Sequence, residues 1–292
     1  MLTSLVSYPE RGKEGNNKYR GNCSPKLIYD LHKFYKFDAI SDYMVGSGTV
    51  EEVAHNLNIK SNVYDLNKGY DLMQEEIQEL NNFIFWHPPY WDIIKYSGYQ
   101  YGQEVLPNDL SHIKDYKEFT RALNYCLAKQ FSSLKLGGRM AILMGDIKRK
   151  GKLYSMLLDI HKIGTIENII VKSQHNTFSE NIKYKSNSFI PIVHEYLLIL
   201  RRDEPYLFNL KITKDIELDI RDSEKISWKD VVVAAYQKLG GKAKFESIYE
   251  EISGHRKVKS NPNWKAKIRQ VVQTYDKIFT RVNRGEWQLL NY

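Results

Sequence analysis

A short apolar run that ends on two prolines and two aromatic rings is the stretch of this sequence best suited to chemistry. Phe83 to Trp86 is long enough for a buried strand, and His87-Pro88-Pro89-Tyr90-Trp91 follows it directly. The prolines cannot donate to a sheet, so the strand should stop there. Because ligands of open α/β sheets bind at the carboxyl ends of strands, the pattern predicts a ligand-contacting loop. A loop whose rings only fill the core would show the same pattern.

Two more predicted strands should place polar groups at the same edge of the sheet. Ala39 to Asp42 precedes the turn Gly46-Ser47-Gly48-Thr49, and apolar residues at helical spacing follow. A strand, a glycine turn and a helix start form the usual first loop of a cofactor-binding fold, although such a turn often has no ligand. Val63-Tyr64-Asp65 resembles a second strand that ends on an acid, where doubly wound folds bind ribose hydroxyls.

The segments around these strands predict an α/β fold. Ser24-Pro25 is a typical helix start, and apolar residues at helical spacing run from Lys114 to Leu136 before Gly137-Gly138. Tyr8 to Asn22 lacks periodicity and is either an ordered loop or a flexible arm. Apolar runs then predict three further strands, at 139–146, 166–171 and 194–202.

The C-terminal part has a different pattern. Residues 203–223 are charged and weakly apolar, which suggests a connection. Three helices are predicted at 228–239, 245–252 and 263–275, and an Asn-Arg-Gly turn joins two short strands between Phe279 and Leu289. Three helices followed by a β-hairpin form a winged-helix arrangement, which can bind DNA or serve for protein contacts.

Composition favours a soluble protein with a polyanionic partner. The 292 residues carry a formal charge of +8 and a pI near 9.1. Cys23 and Cys126 form neither a disulfide framework nor a metal-binding spacing, as expected in a reducing cytoplasm. No apolar run approaches ~18 residues, so neither a membrane span nor an export signal is expected.

The tetrapeptide His87-Pro88-Pro89-Tyr90 resembles the (Asp/Asn/Ser)-Pro-Pro-Tyr motif of methyltransferases that modify exocyclic amines, adenine N6 or cytosine N4. In such a loop the first side chain and the carbonyl of the first proline each accept an amine hydrogen, and the tyrosine stacks on a flipped base. His87 departs from the motif. Neutral imidazole can accept a hydrogen bond but imidazolium cannot, so activity is expected to fall below about pH 6.5.

Other segments are similar to motifs of the same family in the order called gamma, over Tyr8 to Arg202. Residues 19–25 are similar to motif X, and 39–49 to motif I, with Tyr43 and Met44 where Pro and Phe are usual. Asp65 matches motif II and Asp71-Leu72 matches motif III. The resemblance implies that S-adenosylmethionine is bound by Asn22, Cys23, Asp42, Tyr43, Gly46, Ser47, Gly48, Thr49, Asp65, Asp71 and Leu72.

Together these features predict a Rossmann-like methyltransferase sheet with helices on both faces (1–204), a linker (205–225) and a winged-helix DNA-binding domain (226–292). The predicted reaction is DNA methylation at adenine N6, without a metal; cytosine N4, an RNA substrate or a non-catalytic binder are the alternatives. Double-stranded DNA is the expected partner, and a cognate restriction nuclease is a candidate. The predicted DNA contacts are Trp91, Lys148, Arg149, Lys150, Arg256, Lys257, Lys259, Lys265 and Lys267.

Overall fold

The chain divides into two compact units, 1–213 and 214–292. The computed structural model describes residues 2–175, 190–204, 210–211 and 227–290. The predicted linker, 205–225, therefore lies outside the described residues except for 210–211, and so does most of the segment between the last two predicted strands of the sheet. Within the described ranges, no helix combines the length and the apolar character needed to cross a membrane.

Strands of the first unit form one large mixed sheet and two small sheets. Seven of the described strands form the large sheet, in the order β1-β9-β10-β5-β4-β2-β3. The strands are β1 (Leu5–Ser7), β2 (Ala39–Asp42), β3 (Lys60–Val63), β4 (Asn81–Trp86), β5 (Leu134–Met144), β6 (Asp146–Arg149), β7 (Lys152–Ser155), β8 (Lys162–Ile163), β9 (Thr165–Ser173), β10 (His194–Arg201) and β11 (Leu210–Lys211).

Strand direction decides which residues meet at the carboxyl edge of the large sheet, the edge where the carboxyl ends of its parallel strands lie. β10 runs antiparallel to both of its neighbours, β5 and β9, whereas the other pairs of neighbouring strands are parallel. The carboxyl ends of β2, β3, β4, β5 and β9 therefore lie at one edge. The amino-terminal end of β10 lies at that edge too.

Helices cover both faces of this sheet, because β4 is apolar on both sides. Phe83 and Phe85 pack on one face with α1 (Pro25–Tyr35) and α2 (Thr49–Asn56). Ile84 and Trp86 pack on the other face with α3 (Tyr116–Ser132). A short helix, α4 (Met156–Asp159), follows β7. The predicted Rossmann-like α/β fold with two-sided helices is confirmed.

One predicted boundary was wrong. The helix predicted to continue to Leu136 ends at Ser132, and Gly137 and Gly138 lie inside β5. The pairing of β5 with β4 shifts register between Leu134 and Arg139, and the two glycines instead bond the residue after β10: the Gly137 N–H donates to the Arg202 carbonyl, and the Gly138 carbonyl accepts from the Arg202 N–H. At Gly138 the backbone is so close to its neighbours that a Cβ would lie 2.8 Å from the Lys135 carbonyl oxygen, which explains the glycine.

The second unit has its own core and a three-stranded antiparallel sheet, in the order β12-β14-β13. Its buried side chains include Tyr236, Ile248, Ile268 and Phe279. The elements, in chain order, are α5 (Trp228–Lys238), β12 (Lys242–Lys244), α6 (Phe245–Ile252), α7 (Arg256–Lys259), α8 (Trp264–Thr274), β13 (Phe279–Asn283) and β14 (Glu286–Leu289).

Candidate functional site

A cleft at the carboxyl edge of the large sheet contains most of the predicted catalytic and cofactor-binding residues, although Pro88 and Tyr90 do not line it. Asp42 ends β2, Asp65 lies two residues after β3, and His87 directly follows β4. All three line the cleft, and Pro89 joins them. Gly48 is the predicted cofactor residue that does not line it. The predicted cofactor residues that do are Asn22, Cys23, Asp42, Tyr43, Gly46, Ser47, Thr49, Asp65, Asp71 and Leu72.

Asp65 and two glycines set the shape of the loop between β2 and α2. The Asp65 carboxylate accepts hydrogen bonds from the backbone N–H of Gly46 and of Asn67, both at 2.9 Å. Gly46 has a φ of +48°, and a Cβ there would lie 2.9 Å from the hydroxyl of Tyr19. Gly48, with a φ of +81°, precedes the first residue of α2. This backbone therefore favours glycine at both positions.

The cleft is acidic. Four aspartates line it, and no lysine or arginine occurs among the described residues that do. Asp42 is only 3% exposed, and burial raises its pKa to about 8. Asp71 accepts hydrogen bonds from the Met73 N–H and the Asn108 side chain. Such a cleft suits a cationic ligand rich in hydrogen-bond donors and disfavours phosphate. The four acids are Asp42, Asp65, Asp71 and Asp109.

A cluster of three tyrosines that had no predicted role, Tyr19, Tyr96 and Tyr101, also lines this cleft. Tyr19 lies within 6.3 Å, centroid to centroid, of the rings of Tyr96 and Tyr101, and its hydroxyl lies 2.8 Å from that of Tyr101. They come from two segments far apart in sequence, the loop before α1 and the loop after β4. Tyr19 begins the segment similar to motif X, which was the one available signal.

A chain of hydrogen bonds runs from the Pro-Pro loop into the sheet. His87 Nε2 lies 3.0 Å from the Tyr90 hydroxyl, which donates to Glu195 Oε1 at 2.8 Å. Lys172 Nζ contacts the other oxygen of Glu195 at 2.6 Å. Glu195 and Lys172 lie opposite each other on β10 and β9, and both are buried. Neither Glu195 nor Lys172 is among the site residues predicted from the sequence.

Burial changes the expected titration of His87. It lowers the pKa of the imidazole to about 4, because the charged form loses solvation. His87 is therefore neutral at physiological pH and can accept a hydrogen bond there. The loss of activity is therefore expected at a more acidic pH than the value of about 6.5 for an unperturbed histidine.

The ring of Tyr90 lies against the backbone of Gly145, the residue after β5. A Cβ at Gly145 would lie 2.7 Å from the nearest atom of that ring. Pro88 and Pro89 are both buried, so the backbone between His87 and Tyr90 is held on both sides. Gly145 therefore provides the space in which the Tyr90 ring is positioned.

Trp91 and Arg149 support the Pro-Pro loop. Trp91 is 5% exposed, and its indole N–H donates to the Ile113 carbonyl at 2.9 Å. The Arg149 guanidinium lies 4.3 Å from the centre of the Trp91 ring and donates to both oxygens of Asp92, at 2.5 and 3.2 Å. This burial argues against the predicted DNA contact of Trp91. Lys150 is exposed and Lys148 is half-buried.

The basic residues predicted to contact DNA in the second unit lie on its last two helices, α7 and α8. Lys259 and Lys265 are exposed, whereas Lys257 and Lys267 are partly buried. Within the described residues, none of these four lysines forms an ion pair with a carboxylate. Arg256 is exposed as well. Their contact with DNA remains a prediction.

Comparisons with known proteins yield partial structural similarities only. No family model matches the sequence, and no curated protein does. TTHA0409 from Thermus thermophilus, a candidate DNA modification methylase, is 24% identical over 47% of this chain and 52% of its own, with a TM-score of 0.30. The complex of the same protein with S-adenosyl-L-methionine is 19% identical over 59% of this chain and 58% of its own, with a TM-score of 0.28. TrmN from Thermus thermophilus is 16% identical over 63% of this chain and 50% of its own, with a TM-score of 0.37. The chain thus spans less than two thirds of each, and the fold rests on its own strand order.

Proposed function

We propose that this chain is an S-adenosylmethionine-dependent DNA methyltransferase that acts on an exocyclic base amine, in the first instance adenine N6. The observation that carries the proposal is the shared cleft, in which His87 and Pro89 of the Pro-Pro loop meet Asp42 and Asp65. This brings an amine-orienting loop next to an acidic pocket that is suited to a cationic cofactor.

The chemistry of the cleft matches this cofactor better than a dinucleotide. S-adenosylmethionine carries one carboxylate, but its ammonium and sulfonium give it a net positive charge, and its ribose hydroxyls and adenine amine are hydrogen-bond donors. Asp65 and Asp71 supply acceptors in the cleft, and Asp42, whose raised pKa keeps it largely protonated near pH 7, would supply a third carboxylate once a cation binds. The pyrophosphate of a nicotinamide or flavin cofactor would instead face like charges with no lysine or arginine among the described lining residues.

The Pro-Pro loop would orient the amine. When bound, the cofactor supplies a methyl group that is reactive because it is attached to a positively charged sulfur. An aromatic amine is a weak nucleophile, since its lone pair is delocalised into the ring. His87 and the Pro88 carbonyl would each accept one amine hydrogen, which favours a tetrahedral nitrogen. Tyr90 would stack on the flipped base.

Double-stranded DNA is the proposed partner because of the second unit. Its order of helix, strand, helices and β-hairpin agrees with the winged-helix hypothesis. Its basic residues on α7 and α8 would approach phosphates or a major groove, and the charge of +8 on the whole chain favours a polyanion.

Mass spectrometry of nucleosides would test this function directly. Plasmid DNA would be isolated from a host that lacks DNA methylation and expresses either the wild type or His87→Ala. N6-methyladenine in the wild-type sample alone is the expected result. N4-methylcytosine would identify cytosine as the modified base in place of adenine. A methylated base found only in RNA would identify RNA as the substrate in place of DNA. No mark in either nucleic acid, with soluble folded protein, would contradict the enzyme and leave a non-catalytic binder.

The effect of His87→Ala on turnover, compared with its effect on cofactor affinity, would test the role proposed for His87. His87→Ala should lower the turnover number by about 100-fold, the effect of removing one oriented acceptor. The dissociation constant for cofactor should change less than about twofold, because the aspartates of the cleft are intact. Equal losses in both quantities would indicate a structural role for His87.

A further inference from the structure

The hydrogen-bond chain behind the Pro-Pro loop has a direction, and that direction bears on the departure of His87 from the usual motif. Unlike Asp, Asn or Ser, a neutral histidine has two ring nitrogens, of which one donates and the other accepts. A histidine at this position can orient an amine only if the nitrogen facing the amine carries no proton. Some other group must therefore select the tautomer.

Glu195 sets the direction of the chain. Burial opposes the ionisation of Glu195, but the Lys172 ammonium at 2.6 Å and the hydrogen bond from Tyr90 more than offset this, and the pKa of the carboxyl lies below its ordinary value. The group is therefore a carboxylate, which can only accept hydrogen bonds. The Tyr90 hydroxyl lies 2.8 Å from Glu195 Oε1, and because the carboxylate cannot donate, Tyr90 must use its single proton on this contact.

The same rule then applies one step further along the chain. Because the Tyr90 proton points to Glu195, the Tyr90 oxygen can only accept from His87 Nε2 at 3.0 Å. A neutral imidazole has one N–H, and this contact places it on Nε2. Nδ1 is left with a free lone pair, on a residue that lines the cleft.

We propose that Lys172 and Glu195 are positioning residues that act through the Tyr90 hydroxyl to hold His87 in its Nε2–H tautomer, so that Nδ1 is the acceptor for the base amine. This inference deepens the proposed function and rests on it only for the identity of the amine. The topology explains how the pair reaches the loop. Antiparallel β10 brings its second residue, Glu195, to the carboxyl edge of the sheet, opposite Lys172, the penultimate residue of β9.

Nitrogen-15 NMR of the histidine rings tests the tautomer without any substrate. Protein labelled with ¹⁵N-histidine would be compared with His87→Asn to assign the His87 signals. We expect a proton-bearing Nε2 and a bare Nδ1 in the wild type, and a mixture of tautomers in Tyr90→Phe, which removes only the hydroxyl. Tyr196→Phe is the matched control, because Tyr196 bonds His194 at 2.8 Å in a separate pair. It should leave the His87 signals unchanged.

Glu195→Gln provides a second variant with a different expected result. A side-chain amide can donate to the Tyr90 oxygen, which would let Tyr90 donate to His87 and move the ring proton to Nδ1. A proton on Nδ1 in the wild type would overturn the proposal. So would an unchanged tautomer in both folded variants.

Kinetic measurements test this relay, the hydrogen-bond chain from Lys172 through Glu195 and Tyr90 to His87, separately from methyl transfer itself. Tyr90→Phe should lower the turnover number at least tenfold while the KM values for cofactor and DNA stay within twofold. In a His87→Asn background the acceptor is a carbonyl oxygen that has no tautomer, so adding Tyr90→Phe should cost less than twofold. An equal loss in both backgrounds would overturn the relay. The expected NMR result without methylation of any nucleic acid would leave the relay standing and contradict the proposed function.

Discussion

Gly145→Ala should damage catalysis by displacing the Tyr90 ring while leaving the cofactor cleft intact. The added Cβ would lie 2.7, 3.0 and 3.4 Å from three atoms of that ring. Carbon atoms pack at about 3.5–4.0 Å, so the ring must move by about 1 Å. The Tyr90 hydroxyl is tied to His87 and Glu195, which means that the displacement also disturbs the imidazole. A misplacement of about 1 Å can cost about 100-fold in rate, and we expect a loss of that size in turnover.

The assay would measure methyl transfer to duplex DNA in single-turnover mode, with cofactor affinity from calorimetry and stability from urea unfolding. Overpacking of this kind typically costs about 1–3 kcal/mol, which an intact domain tolerates. Gly254→Ala is the matched control, because nothing lies within 4 Å of a Cβ at that position. Wild-type turnover in folded Gly145→Ala would refute the reasoning. A matching loss of cofactor affinity would also refute it, because it would show general damage to the cleft.

Three further predictions concern pH and salt. Because burial lowers the pKa of His87 to about 4 and the neutral ring is the active form, turnover should stay level from pH 7 to about pH 5 and fall only below that; a midpoint near pH 6.5 would contradict this. Because Asp42 has a pKa of about 8 and must ionise to pair with a cation, cofactor affinity should rise about tenfold per pH unit between pH 5.5 and 7.5, and Asp42→Asn should abolish this slope in calorimetry. Replacing Lys265 and Lys267 by Gln should lower the slope of log K for DNA against log salt by about 2, whereas Lys238→Gln, at a residue already in an ion pair, should not.

Local patterns predicted that Asp42, Asp65 and His87 would meet at one edge of the sheet. The strand, the glycine turn and the start of α2 lie within a single stretch of sequence, and Asp65 follows the next strand after one intervening residue. Because carboxyl ends of parallel strands meet at one edge, no knowledge of the exact register was needed to bring Asp42 and Asp65 together with His87. Gly48 shows the limit of this reasoning, since it shapes the turn but does not line the cleft.

Residues that reach the site from distant segments were not predictable in the same way. Tyr96 and Tyr101 belong to a long loop without periodicity, so their approach to Tyr19 depends on a backbone path that no local pattern describes. The burial of Trp91 was missed for a related reason. An aromatic ring at the end of a Pro-Pro loop is equally suited to stacking on a base and to packing, and here Ile113 and Arg149 bind it from other segments.

The pair formed by Lys172 and Glu195 was beyond the reach of sequence patterns because it depends on strand direction and register together. β10 is antiparallel to its neighbours, so its first residues lie at the carboxyl edge of the sheet. In a parallel strand, the last residues would lie there instead. A shift of one residue would turn Glu195 to the opposite face of the sheet. Burying an ion pair costs desolvation energy that apolar residues would not incur, so its presence beside His87 is better explained by control of the loop than by stability. A histidine in place of the usual Asp, Asn or Ser creates a need for tautomer control, and the buried carboxylate meets that need.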